Sequence, residues 1–269
     1  MHTPVLLNDA IDGINVKSGG LYIDATFGEG GYTKEILDRG GKVLAIDLDK
    51  DQLKNLRNDA SVDLKLVQGN FAEIESIARK NGFYPADGVV FDLGLSMRQL
   101  NESGRGLSFK KDDELLDMRL DLDTELTAEE IIKTASEKRL YEIFAGNSEE
   151  LKSKEIAHEV AVRRPKTVRQ LKRAIDTAIK GKSEAVYRRI FQALRIEVNS
   201  EFTNLRDGLY QALNIVRPGG RVVVVSFHSR EDRIVKNIAR EKNIKFLNKK
   251  PKFGEQKFER SAKLRILTV

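Results

Sequence analysis

The chain has 269 residues, a formal net charge of +6 and no cysteine. This length allows one large domain, or one domain that carries an insertion. The absence of cysteine excludes disulfides, thiolate metal sites and a cysteine nucleophile. No apolar run reaches the roughly 18 residues that a membrane helix needs, and no secretory signal pattern is visible, so we expect a cytoplasmic protein without membrane partners.

The positive charge is concentrated in two segments. Residues 152–195 contain 13 Lys or Arg against 4 Asp or Glu, and residues 230–265 contain 13 against 5. These segments therefore carry +9 and +8, which leaves −11 for the remainder. Such asymmetry favours docking of an acidic polymer such as RNA. The alternatives are two solvated basic helices or a basic surface that faces a membrane.

Strands and helices alternate in the first hundred residues. Short apolar runs at 21–25, 42–47, 64–67 and 88–92 predict strands, and 32–39 and 71–80 predict helices between them. This alternation predicts an α/β fold, Rossmann-like, with a mostly parallel sheet that is covered on both faces.

The pattern changes after this region and later returns. Residues from 101 to 185 look helical and contain no convincing strand, which predicts an inserted helical domain. The α/β pattern resumes with a helix at about 187–213, a turn at Pro218-Gly219-Gly220, a strand at 221–226, a helix at 231–242, a Lys-rich loop and a strand at 262–269. The predicted division is core 1–100, insertion 101–185 and core 186–269.

Residues that end neighbouring parallel strands are expected to line one crevice. They are Asp24 with the glycine loop Gly28 to Gly31, then Asp47, then Phe71 beside Asn70, then Asp92. Glycines allow the backbone to approach a ligand closely, and an acid at the end of the second strand can accept hydrogen bonds from ribose hydroxyls.

This pattern suits NAD as well as S-adenosylmethionine. A dinucleotide loop would have its third glycine at position 33, where this chain has Thr33. Asp24 and Asp92 would repel a pyrophosphate, whereas the methyl donor carries an ammonium and a sulfonium, so the residues favour S-adenosylmethionine. In the remaining alternative the glycines only form a tight turn and Asp47 caps a helix.

Eight segments together resemble a known family. They are His2 to Leu7, Asp24 to Gly31, Asp92 to Ser96 with Gln99-Leu100, Arg105 to Phe109, Leu116 to Asp121, Phe191 to Ile196 with Val198-Asn199, Ser226 to Ser229 with Glu231 to Arg233, and Arg260 to Arg265. In order and spacing they resemble the bacterial small-subunit rRNA (cytosine-N4)-methyltransferase family, also called MraW, which has a mitochondrial relative. The resemblance covers essentially the whole chain.

The resemblance implies a class I methyltransferase core interrupted by a helical domain. The implied enzyme uses S-adenosylmethionine to methylate a cytidine of 16S-type rRNA in the decoding region, so its partner would be the small ribosomal subunit; we expect a monomer or a homodimer. For Tyr32 and Gln99, the predicted contact with the cofactor rests on the resemblance alone. The implied cofactor contacts are Gly30, Gly31, Tyr32, Asp47, Phe71, Asp92 and Gln99.

The chain departs from the family pattern at several positions. The family usually has histidine at Tyr32 and serine at Met97, Gly-Pro at Glu114-Leu115, His-Pro-Ala-Thr near Ser183 to Tyr187, and Asn-Pro at Phe258-Glu259. A tyrosine can still pack beside the cofactor. The changes around Glu114 and Ser183 concern RNA positioning more than cofactor binding.

The candidate catalytic residues are Asp92, Asp117 and His228. Asp92, or the carbonyl that follows it, could accept hydrogen bonds from the cytosine amino group and so localise its lone pair. A flipped base is usually gripped by aromatic faces and polar edges. Candidates for that role are Phe109, Asp117, Arg119, Asn199, His228 and Ser229.

Some of these candidates have a structural alternative. His228 could cap the last helix, and Asp117 and Arg119 could form an internal ion pair. The Phe191 to Ile196 stretch is expected to form part of a buried helix face, from which Arg195 could reach phosphate. His2 and His158 are too isolated to predict a metal site.

Two other functions remain compatible with the sequence. One is a nicotinamide-dependent oxidoreductase, which Thr33 and the basic C-terminal half disfavour. The other is an rRNA-binding assembly factor that keeps S-adenosylmethionine as a structural ligand.

Overall fold

The computed structural model describes residues 4–53, 62–248, 250–254 and 261–269. His2 and Arg260, which begin two of the motifs above, and the departures at Phe258 and Glu259 lie outside them. The chain forms two compact units, Met1–Ser96 together with Phe202–Val269, and Met97–Glu201.

The elements follow in chain order. The strands are β1 (Leu21–Asp24), β2 (Lys42–Asp47), β3 (Leu64–Gln68), β4 (Ala86–Asp92), β5 (Val216–Ser226), β6 (Lys245–Phe246), β7 (Lys252–Phe253) and β8 (Lys263–Thr268). The helices are α1 (Leu7–Ile14), α2 (Gly31–Asp38), α3 (Lys50–Leu53), α4 (Ile74–Asn81), α5 (Met97–Glu102), α6 (Ala128–Thr134), α7 (Glu137–Ser148), α8 (Ser153–Arg163), α9 (Val168–Ile179), α10 (Glu184–Val198), α11 (Glu201–Ile215) and α12 (Ser229–Glu241).

The first unit is built on a mostly parallel sheet, so the predicted α/β fold is confirmed. The described strands run in the order β3-β2-β1-β4-β5-β8-β6, and β7 pairs with β8. The pairs among β1 to β5 are parallel, and β8 runs antiparallel to β5. Strand order reverses between β1 and β4, and a crevice at the carboxyl ends of such strands is the usual ligand site.

Both faces of this sheet are buried, which explains the continuous apolar runs of its strands. One face packs Ile46 and Val224 against Ile74, Leu209 and other apolar residues of α4, α11 and α12. The other face packs Val43 and Val223 against residues of α1 and α2 such as Ile11 and Ile36. A sheet held on both sides gives the strand ends a rigid frame.

One predicted helix is in fact two. The sequence pattern predicts a helix over about 187–213, but α10 ends at Val198 and α11 begins at Glu201. Ser200 has a φ of 50°, a left-handed conformation that an α-helix cannot continue. The apolar spacing runs through the break, which is why the pattern conceals it.

The Pro218-Gly219-Gly220 segment is part of β5 and not the separate turn that was predicted. The pairing of β4 with β5 shifts register between Ala86 and Gly88, which marks an irregularity in the ladder. Gly219 takes a φ of 80°, and its N–H donates to the Val269 carbonyl at 2.9 Å. Gly219 therefore lies in an irregular part of β5, where its positive φ is needed.

The second unit is helical. Residues 97–201 are all described and contain no strand, only an isolated bridge between Leu115 and Thr167. Helix α7 packs against α8 and α10. Because α10 packs here, it belongs to this unit, whereas the predicted division assigned residues from 186 onward to the core. None of the described helices is both long and apolar enough to cross a membrane.

Candidate functional site

The glycine loop follows β1 and is a tight turn. Gly28 and Gly30 have φ values of 54° and 80°, a region where side chains are strained. The Gly30 N–H donates to the Phe27 carbonyl at 2.8 Å, and the Gly28 N–H donates to Asp47 Oδ2 at 2.7 Å. The loop is therefore tied to the end of β2 by one of the predicted site residues.

The next two residues of the loop hold the N-terminal segment. A Cβ on Gly31 would lie 2.0 Å from Pro4 Cγ, so the missing side chain makes room for that proline. Tyr32 is 3% exposed, and its hydroxyl donates to the Val5 carbonyl. Gly31 and Tyr32 were predicted to contact the cofactor; in the structure their neighbours include Pro4 and Val5.

Asp24 lies beneath the loop and does not line the crevice as the sequence suggested. It is fully buried, its Oδ2 accepts from the Thr33 hydroxyl at 2.7 Å, and its Oδ1 accepts from the Thr26 N–H at 3.3 Å. Burial raises its pKa to about 6 despite these hydrogen bonds. Thr33 therefore fastens α2 to this carboxyl group, a role that sequence reasoning missed.

Asp47 lies at the end of β2, and each of its carboxylate oxygens accepts a hydrogen bond from a backbone N–H. Oδ2 accepts from Gly28, and Oδ1 accepts from the Asp49 N–H at 2.8 Å. Burial raises its pKa to about 7. A carboxylate oxygen can accept more than one hydrogen bond, so Asp47 keeps capacity for two hydroxyl donors.

Phe71 is positioned by the turn after β3. The Asn70 side chain accepts from the Ala72 N–H at 2.9 Å and caps the short 3₁₀ turn Phe71–Glu73. The Phe71 ring meets the Phe91 ring edge-on, with centroids 5.6 Å apart. It stays partly exposed, so a planar ligand can reach one side of the ring.

Helix α11 packs directly on Phe71 because Gly208 has no side chain. A Cβ at Gly208 would lie 2.7 Å from Phe71 Cδ2 and 2.8 Å from its carbonyl oxygen. We expect Gly208→Ala to displace Phe71, destabilise the protein by about 1–3 kcal/mol and weaken cofactor binding. Denaturant unfolding and calorimetry measure the two effects.

The matched control is Gly146→Ala, which lies in α7 of the second unit. A Cβ there meets nothing within 4 Å, so this change is expected to be neutral or slightly stabilising. Equal behaviour of the two variants would contradict the packing argument for Phe71.

Asp92 ends β4 and carries an unsatisfied acceptor. Its N–H donates to the Thr26 hydroxyl at 2.6 Å, which fixes the backbone beside the glycine loop. Its Oδ1 is buried and has no hydrogen-bond partner among the described residues. Burial raises its pKa to about 8, with further contributions from Asp24 and Glu231. A buried acceptor without a donor is unusual, and such groups cluster at functional sites.

The raised pKa values predict how stability depends on pH. An acid with a higher pKa in the folded than in the unfolded state holds extra protons when folded, so the free energy of unfolding falls as pH rises between the two values. For Asp24, Asp47 and Asp92 that window runs from the ordinary value of 3.8 to about 6, 7 and 8. The empty protein should therefore lose stability as pH rises from 4 to 8.

Urea unfolding at each pH checks this expectation. Asp92→Asn should flatten the upper part of the profile, and Asp123→Asn, which removes an exposed carboxylate from the second unit, should not. An unchanged profile in Asp92→Asn would show that its carboxyl does not titrate in this range.

His228 is placed by the first turn of α12. It is the N-cap residue, as the structural alternative for it supposed. Glu231, 4% exposed, accepts from the Phe227 and His228 N–H groups at 2.8 and 3.3 Å. The other oxygen of Glu231 lies 2.9 Å from His228 Nε2. Sequence reasoning missed Glu231, although an acid three residues after an N-cap is a recognisable signal.

Of the remaining candidates, Ser229 is the first residue of α12 in the first unit, and the others belong to the second unit. Gln99 is 6% exposed on α5. Asp117 and Arg119 form a two-pronged ion pair, with both contacts at 2.8 Å. Burial opposes ionisation of Asp117, but the hydrogen bonds from Arg119 outweigh it and lower the pKa. This geometry favours the structural alternative for the pair.

The side chains of three further residues considered above contact other residues of the same unit. Asn199 accepts from the Leu120 N–H and donates to the Met118 carbonyl, both at 2.8 Å. The Phe109 ring packs near Phe191, with centroids 6.3 Å apart. Arg195 donates to both oxygens of Glu201 at 2.7 and 2.9 Å. These residues shape the helical unit.

Comparison with known proteins assigns the chain to a family. The model of the MraW methylase family matches residues 1–268. The chain belongs to this family. The chain is 40% identical to the ribosomal RNA small subunit methyltransferase H of Carboxydothermus hydrogenoformans over 89% of its length and 80% of that protein.

Other members of the MraW methylase family are similar over comparable lengths. The methyltransferase H of Desulfotalea psychrophila is 38% identical over 98% of this chain and 95% of that protein. Among solved structures, an rRNA methylase from Streptococcus thermophilus has a TM-score of 0.49 and 12% identity, over 100% of this chain and 98% of that one. Membership of the MraW methylase family makes the chain a methyltransferase.

Proposed function

We propose that this chain transfers a methyl group from S-adenosylmethionine to N4 of a cytidine in the decoding region of small-subunit rRNA. The observation that carries the proposal is Asp92 Oδ1, a buried acceptor without a donor beside the glycine loop. Family membership and the activity for which the relatives are named supply the reaction class and the RNA. The cytoplasm, where ribosomes assemble, is the expected location.

The residues at the strand ends fit S-adenosylmethionine. Asp47 has acceptor capacity for the ribose hydroxyls, and the exposed side of Phe71 can pack against the adenine. Gly28 and Gly30 carry no side chain, so the backbone of the loop can approach the cofactor closely. Asp92, when ionised, would supply negative charge for the positively charged groups of the cofactor. When bound, the cofactor supplies an electrophilic methyl group on sulfur.

The chain's own contribution to catalysis centres on Asp92. The cytosine amino nitrogen is a weak nucleophile because its lone pair is delocalised into the ring. A carboxylate that accepts hydrogen bonds from this amino group localises the lone pair and can receive a proton once the new bond has formed. The Asp92 backbone is fixed by Thr26, so its acceptor is held in place before the base arrives.

The surroundings of Asp92 favour this role. Its pKa of about 8 means that the carboxyl is largely protonated in the empty site near neutral pH. Beside a positively charged sulfonium the pKa of Asp92 would be lower, because an opposite charge favours the ionised form. Asp92 would thus become a carboxylate in the loaded site.

Radioactive S-adenosylmethionine tests the proposal directly. The protein should label small-subunit rRNA isolated without this modification, and mass spectrometry should find the label on cytidine N4. Calorimetry with S-adenosylmethionine and NAD gives an independent readout. Binding of NAD alone would refute the cofactor, and absence of label on every maturation state of the subunit would favour the assembly-factor alternative.

A further inference from the structure

A groove of about 760 Å³ lies between α11 and α12 in the first unit. Residues of α11 form one wall and residues of α12 form the other, and Tyr210 and Ile234 of the lining also pack against the core. Its volume is within the roughly 300–1,000 Å³ range of small-molecule sites. None of the residues assigned above to the cofactor lines it. The lining includes Phe202, Arg206, Asp207, Tyr210, Arg230 and Ile234.

The groove combines aromatic faces with cations. The Arg230 guanidinium lies 5.5 Å above the centroid of the Phe202 ring. Lys242 Nζ lies 5.2 Å from the centroid of the Tyr210 ring. Phe202 and Tyr210 are eight residues apart on one helix, which is about 12 Å along its axis. Aromatic side chains flanked by cations are the usual platform for unstacked bases and their phosphates.

The charges in the groove suit a polyanion. Arg206 is exposed and Arg230 is partly exposed, and within the described ranges neither forms an ion pair with a carboxylate. Among the lining residues Asp207 is the acid, against the two arginines. Beside the groove, Glu241 accepts from the Tyr210 hydroxyl and is balanced by Lys242 over the same ring. A protein helix would need a wide apolar wall, whereas Ile234 supplies little aliphatic surface.

The groove begins next to the end of β5. Asp92 pairs in register with Val225, so His228 follows only three residues after the partner of Asp92. The His228 and Phe202 rings lie 5.6 Å apart. Phe202, which lines the groove, therefore lies beside His228, which closely follows β5, and β5 ends next to Asp92 of β4.

We propose that this groove binds a single-stranded RNA segment that flanks the methylated nucleotide. A base stacks on Phe202, and the adjoining phosphates contact Arg206 and Arg230. The inference rests on the proposed function, because it requires RNA to bind at the end of β4, where Asp92 lies. It adds a substrate-binding surface outside the cofactor site.

Kinetics on small ribosomal subunits that lack the modification test the groove. Arg206→Gln combined with Arg230→Gln should raise KM for the subunit about tenfold or more, leave kcat and the Kd of S-adenosylmethionine unchanged, and reduce the salt slope by about one for each lost phosphate contact. Phe202→Leu should raise KM similarly with no change in salt slope. Arg240→Gln, on α12 outside the groove, is the matched control.

Crosslinking separates failure of the groove from failure of the proposed function. Single-stranded RNA that contains 4-thiouridine is irradiated with the wild-type protein, and crosslinked peptides are identified by mass spectrometry. Peptides that contain Phe202 or Tyr210 support the groove even if no methylation is seen. Crosslinks to other surfaces only, or a double variant that matches Arg240→Gln in KM and salt slope, overturn it.

Discussion

Asp92→Asn is expected to lower kcat by about 10²- to 10⁴-fold, the range lost when a positioned acid–base group is removed. Asparagine keeps the size of the side chain, and the hydrogen bond from the residue 92 N–H to Thr26 comes from the backbone and should survive. The amide cannot take a proton, and its NH₂ group would face the cytosine amino group with the wrong polarity. Single-turnover methylation of small-subunit rRNA measures the loss.

Binding of S-adenosylmethionine should change much less in this variant, by about tenfold at most, since a single charge interaction is lost. The control is Asp87→Asn at the opposite end of β4, where the carboxylate accepts from the Leu21 N–H at 2.8 Å. Asp87→Asn should cost stability and leave kcat unchanged. A wild-type kcat in Asp92→Asn would remove Asp92 from the mechanism.

Asp47→Ala is expected to raise the Kd of S-adenosylmethionine by about 10- to 100-fold, the value of one or two hydrogen bonds to a charged acceptor. The change removes the proposed ribose acceptor. It also leaves the Gly28 and Asp49 N–H groups without their carboxylate, so the glycine loop loses its tie to β2. Isothermal calorimetry measures Kd directly.

Turnover at saturating cofactor should be nearly normal in Asp47→Ala, which separates it from Asp92→Asn. Asp47→Asn keeps one acceptor oxygen and should fall between alanine and wild type. Asp38→Ala, at the exposed end of α2, is the control for loss of a nearby carboxylate. An unchanged Kd in Asp47→Ala would contradict the ribose assignment.

The strands were predictable because each is a short apolar run that ends in a polar or charged residue. That pattern also placed Asp47, Phe71 and Asp92 at neighbouring strand ends, since parallel strands end at one edge. The pattern does not predict how deeply each of these side chains is buried. Asp24 obeys the same rule as Asp47, yet the structure buries it beneath the loop, where Thr33 holds it.

Other features could not be predicted because they depend on a contact between distant segments or on the backbone angle of one residue. Gly31 looks like a residue that makes room for a ligand, whereas its hydrogen faces Pro4. The break at Ser200 depends on one left-handed residue that is not a glycine, so no composition signal marks it.

The division of the chain into two units has a consequence for how it folds. Pairing of β4 with β5 joins the first unit across the whole second unit, and Arg221 donates to the Gly13 carbonyl, 208 residues earlier in the chain. Such nonlocal closure is slow, whereas a continuous helical segment folds quickly. During synthesis, residues 97–201 can therefore become compact while β1 to β4 still expose an unpaired edge at β4. That half-sheet, with its apolar faces and open edge, is the species that should depend most on chaperones.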